Sequence, residues 1–92
     1  DMVWLHPDNR EMNEGDWNES AGSVLGMWVR HKDDDVLVWF NRRIEPVVAH
    51  LPEGEWAVGI QSDDTAEVVI SGNTAVIPPR SVVALIRPKH ES

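Results

Sequence analysis

Residues 36–40, Val-Leu-Val-Trp-Phe, are apolar at every position, and neither they nor any segment after residue 22 sustains a helical period. The chain breaks instead into short runs rich in Val, Ile and Trp, at 23–30, 36–41, 47–51, 56–61, 66–71, 74–77 and 81–87. Pro, Gly, Asn or Asp bounds each run, which is the punctuation of strands and turns. Gly72 and Asn73 mark a two-residue hairpin, because both tolerate positive φ. Ninety-two residues hold one domain at most. The expected fold is all-β: an antiparallel β-sandwich of about seven or eight strands, of Greek-key type. It occupies residues 22–90 and follows an irregular N-terminal segment.

Side chains alternate across a strand, so faces can be assigned. Trp56, Val58 and Ile60 share one face, with Ala57 and Gly59 opposite. Val83 and Leu85 share another, opposed by Val82, Ala84 and Ile86. In the 36–40 run, Val36, Val38 and Phe40 oppose Leu37 and Trp39. A strand apolar on both faces is usually covered on both. A sandwich this small covers only the inner face of each sheet, and a neighbouring domain is the simple candidate for the other cover.

Eight basic against sixteen acidic residues give a net charge of −8. That field disfavours nucleic acid, whose phosphates need a positive footprint, and anionic membrane surfaces. Neutral partners such as sugars are not penalised. No stretch approaches the ~18 apolar residues of a membrane span, and no basic-then-apolar leader is present. With no cysteine, disulfides and thiolate metal sites are excluded, which suits a cytoplasmic location. The chain starts at Asp1 rather than at methionine, as a fragment or processed product would.

Little in the sequence points to catalysis. Glycosidase chemistry needs two carboxyl groups roughly 5–9.5 Å apart, one with a pKa raised by burial. Asp33, Asp34 and Asp35 lie in a hairpin loop where solvent would keep all three ionised, and Asp63 and Asp64 read the same way. His6, His31, His50 and His90 are scattered, with no zinc-site spacing. No serine sits in a nucleophile elbow, and no helix follows Gly22 or Gly26 to make a phosphate loop. We therefore expect no catalytic residue, no metal site and no cofactor.

The tryptophans are the remaining signal. An indole anchors cores and interfaces, and its face can also stack on the C–H face of a sugar. Trp28 and Trp56 read as core. Trp39 divides between core, domain interface and glycan contact, with Trp28 as a second candidate for glycan contact. Trp4 and Trp17 bracket an aperiodic segment and read as residues that dock on an adjacent domain. Between them, Pro7-Asp8-Asn9 forms a turn with Asn9 suited to a left-handed position, and Asn13 caps a short helical turn over 13–16.

These residues resemble a family. "WLHPDNREMNEGDW" is similar to the W-x-x-P-D-G-x-E-M-T-x-x-D-W segment of bacterial glycogen debranching enzymes of the isoamylase type, in the α-amylase superfamily of glycoside hydrolases. Trp4, Pro7, Asp8, Glu11, Met12, Asp16 and Trp17 match at the family spacing. "DDDVLVWFNRRIEPVVAHLPEGEW" resembles the family's later pattern through Asn41, Glu45, Pro46, Leu51, Pro52 and Trp56, and "VIPPRSVVALIR" its closing strand. Asn9 and Asn13 replace the usual glycine and threonine. The resemblance implies a non-catalytic C-terminal accessory domain of a parent that hydrolyses α-1,6 branch linkages of glycogen or limit dextrin. The parent's (β/α)₈ barrel would lie upstream, with residues 1–21 as a connecting segment along it. The implied partners are that barrel and, through the parent, α-glucan. The alternative from another class is a stand-alone starch- or glycogen-binding module gripping glucan through exposed tryptophans.

Overall fold

The computed structural model describes residues 2–13, 24–63 and 65–88. Among them there are nine strands and no helix: β1 Met2–His6, β2 Arg10–Glu11, β3 Val24–Arg30, β4 Asp34–Asn41, β5 Val47–His50, β6 Ala57–Gln61, β7 Val69–Ser71, β8 Thr74–Ile77 and β9 Ser81–Pro88. They form two antiparallel sheets, one of six strands in the order β2-β1-β3-β4-β9-β6 and one of three in the order β5-β8-β7. The all-β sandwich expected from the strand punctuation is what forms.

All seven runs expected after residue 22 become strands. The fifth is shorter than its sequence suggests, because turn chemistry holds its first residues. Asp63 accepts from the Thr65 backbone N–H (3.1 Å) and hydroxyl (2.6 Å). The Gln61 amide donates to the carbonyls of Asp63 (2.6 Å) and Ala66 (2.7 Å). The two-residue hairpin at 72–73 is present, with Ser71 opposite Thr74 and Gly72 at φ 59°.

The N-terminal segment differs from expectation. Residues 2–6 are not an irregular connection but a strand of the larger sheet, paired with β3 from Met2↔Val29 to Leu5↔Gly26. The Pro7–Asn9 turn closes it onto β2, with Asn9 left-handed at φ 64° as expected and its N–H on the His6 carbonyl (2.9 Å). Four or five alternating residues carry too little periodicity to outweigh the loop-like composition around them. The expected helical turn over 13–16 and Trp17 lie outside the described residues.

The core lies between the sheets. On the larger sheet's inner face, cross-strand rows run Val3–Trp28–Leu37–Leu85–Val58 and Leu5–Gly26–Trp39–Val83–Gln61. Ala49, Ala75 and Ile77 face them from the smaller sheet, with Leu51 and Trp56 from the connections. Gly26 is the seat of the Trp39 indole: a Cβ there would stand 2.8 Å from Cζ3. Strand β6 carries a bulge between Val58 and Ile60, which breaks the expected alternation. The extra residue, Gly59, lets Ile60 pair with Ala84 and turn outward instead of sharing a face with Trp56 and Val58. A Cβ on Gly59 would meet Ile86 Cδ1 at 2.6 Å.

Candidate functional site

The outer face of the six-stranded sheet is apolar across β1, β3, β4, β9 and β6, while edge strand β2 sets Arg10 opposite His6. Strand register assembles it into three rows: Met2–Val29–Val36–Ile86–Ala57, Trp4–Met27–Val38–Ala84–Ile60, and Leu25–Phe40–Val82. Every member is apolar. Ile60 is 74% exposed and Met2 52%, while the β3 and β4 members are half-buried by their neighbours. Strands ~4.8 Å apart and ~3.3 Å per residue give these rows a flat footprint of about 400 Å². That is the size of the largest apolar patch on an ordinary monomer, which is often functional, and about half of one side of a standard protein interface.

One end of the sandwich holds a charged cluster on the inner face. Asp35 is fully buried and accepts from the Arg87 guanidinium, which also donates to the Glu53 carbonyl. The guanidinium lies 4.8 Å from the Trp56 ring and 5.5 Å from Trp28, with Arg30 4.9 Å over Trp28. The two indoles meet edge to face, centroids 6.5 Å apart. Gly54, at φ 131°, makes room, since a Cβ there would overlap Arg87 Cδ. The expectation that Asp33, Asp34 and Asp35 are all solvated fails at Asp35. It lies in phase with Leu37 and Trp39, and that phase is the sequence signal for its burial.

The opposite end carries Arg42, Arg43 and Arg80. Arg42 and Arg80 line an open cleft of about 470 Å³ with Phe40, Asn41, Ser81 and Val82. Buried Asn41 organises both loops there: its amide donates to the carbonyls of Glu45 (3.0 Å), Ile77 (3.2 Å) and Pro78 (3.1 Å), and its Oδ1 accepts from Arg43 N–H (2.9 Å).

The tryptophans part company. Trp39 is 0% exposed, sealed between the sheets, so it can serve neither a domain interface nor a glycan. Its inward phase with Leu37 decided this. Trp28 is half-buried, with guanidiniums over its ring and Trp56 at its edge, a poor platform for a sugar. Trp4 lies on the outer face, opposite Met27. Trp17 lies outside the described residues.

Elsewhere, the His6 Nδ1 accepts from the Asp8 N–H (3.0 Å), a local turn contact. Asp63 is fully exposed, and its carboxyl is held below the ordinary carboxylate range, chiefly by the Thr65 hydroxyl. Among the described residues, no three His, Asp or Glu side chains gather as a metal site, and no helix is long and apolar enough to cross a membrane.

These features define a class: a β-sandwich domain whose most distinctive surface is an apolar sheet face, rather than a cluster of reactive groups. No family model matches the chain, and no curated protein does. Among solved structures it is similar to the α-amylase from H.orenii, at TM-score 0.64 and 18% identity. The match covers 95% of this chain and 16% of that one, so this chain spans about a sixth of the amylase. At that identity the likeness shows the fold alone.

Proposed function

We propose that this chain is a non-catalytic accessory domain of a larger glycoside hydrolase of the α-amylase superfamily. It packs on the catalytic domain through the outer face of its six-stranded sheet and stabilises it. The observation that carries this reading is the three unbroken apolar rows on that face. The fold likeness to part of an α-amylase supports it. The resemblance of 4–17 and 41–56 to isoamylase-type debranching enzymes makes an α-1,6-glucosidase acting on glycogen or limit dextrin the finer reading of the parent. The stand-alone glucan-binding alternative loses support from the burial of Trp39 and the stacked environment of Trp28.

The test compares the isolated chain with the full polypeptide encoded around it. The isolated chain is expected to bind a hydrophobic dye or self-associate, and Ile60→Asp to suppress both. In the full polypeptide, Ile60→Asp is expected to lower the temperature at which activity is lost while leaving kcat unchanged at 25 °C. Saturable binding of maltoheptaose to the isolated chain, followed by tryptophan fluorescence, would support the glucan-binding module instead. Hydrolysis of a branched glucan by the isolated chain would refute the non-catalytic role. An encoded polypeptide with no further domain would refute docking.

A further inference from the structure

We propose that Arg42 and Arg80 form a carboxylate-binding corner, which receives an Asp or Glu side chain of the catalytic domain and fixes how that domain sits on the apolar face. The inference rests on the docking reading above and names the chemistry of its partner surface.

The corner is continuous with the face. Phe40 and Val82 form the last apolar row, and both also line the cleft that Arg42 and Arg80 flank. The apolar footprint, about half of one side of a standard interface, needs a polar rim to complete it. This corner is where such a rim begins.

Charge points the same way. Arg42, Arg43 and Arg80 are three of the chain's eight basic residues, gathered at one end of a molecule of net charge −8. Among the described residues none of the three has a carboxylate within ion-pair distance, whereas Arg87 is paired inside the fold and Arg30 lies over Trp28. Arginines with no carboxylate beside them among the described residues match a partner that supplies one. A guanidinium fork fits a carboxylate bidentately, and a neutral glucan would leave the charge unbalanced.

The corner is also built to hold its shape. Asn41 ties the 42–46 loop to the 77–78 carbonyls, and the Arg80 N–H donates to the Arg43 carbonyl (3.0 Å). Arg80 itself is left-handed at φ 49°, and a non-glycine residue keeps that conformation only where its surroundings enforce it. Guanidiniums mounted on pinned backbone lose less freedom on pairing than those on a loose loop.

The experiment is hydrogen exchange on the full polypeptide, followed in peptides over 37–43 and 79–84. The double charge reversal Arg42→Glu/Arg80→Glu is expected to speed their exchange about tenfold at low salt. Wild-type exchange should rise with salt, the variant's should not, and Arg42→Lys/Arg80→Lys should fall between. Far-UV circular dichroism of the isolated chain, and unchanged exchange over 47–50 and 74–77, certify that the variant folds. Ile60→Asp serves as the face control. If it deprotects the face while the charge reversal matches wild type at every salt concentration, the carboxylate corner is refuted and docking stands. If neither variant changes exchange, docking itself is refuted.

Discussion

Replacing Arg87 with methionine removes one countercharge of a fully buried carboxylate while keeping most of the side chain's apolar stem. Asp35 is 0% exposed and the Arg87 side chain 21%, so neither charge is well screened by water. The guanidinium also satisfies the Glu53 carbonyl and lies over both the Trp56 and Trp28 rings. Removing one partner of such a pair costs about 3–5 kcal/mol. At 0.05–0.15 kcal/mol per residue, a chain of this length has roughly 5–14 kcal/mol in all, so the loss is a large fraction. It lowers Tm by at least about 12 °C, taking 4 °C per kcal/mol for a domain of this size. Asp35→Leu alone should cost less, because the partly exposed Arg87 can turn to solvent and keep its ring contacts. Arg87→Met combined with Asp35→Leu should recover most of the Arg87→Met loss, since no buried carboxylate then remains at that position. Urea denaturation of the isolated chain, followed by tryptophan fluorescence, measures all three variants. A loss below about 1 kcal/mol for Arg87→Met would refute the reasoning. So would a double variant no more stable than Arg87→Met.

Two further outcomes are expected. Asn41→Leu should cost about 2–4 kcal/mol by urea denaturation, because it removes the amide that donates to the buried Ile77 and Pro78 carbonyls, and it should speed exchange over 42–46 and 79–81. Thr65→Val should raise the Asp63 pKa toward the ordinary value of about 3.9, measured by NMR titration, since the Thr65 hydroxyl is the main cause of its lowering. The sign follows from that lowering. The carboxylate's ordering of the 63–66 turn is complete above about pH 4 and is lost as pH falls through the lowered value. In Thr65→Val the loss should begin at higher pH.

Much of the fold was legible because strand punctuation is local. Pro78-Pro79, Gly72-Asn73 and the acidic turn at 62–65 separate the runs whatever the tertiary structure does. The doubly apolar run 36–40 already implied apolar surface on both sides of its sheet, and register shows how its outer half joins that of β3 and β9. The chain's own phase also held the answers for Trp39 and Asp35, both inward with Leu37. Composition, which marks three aspartates as a solvated loop and an indole as a surface candidate, pulled the other way.

The sequence by itself determined the class of fold, the number of strands after residue 22 and the apolarity of both faces of β4, because alternation and turn residues act over a few positions. The tertiary structure decided what depends on residues far apart meeting. It made β1 a strand by pairing it with β3, turned Ile60 outward through a bulge against β9, and brought Arg87 onto Asp35 across 52 positions. It also gathered Arg42 and Arg80 beside the apolar face, although 38 positions part them in the chain. Long-range register, which no local pattern encodes, turned scattered valines and isoleucines into one surface.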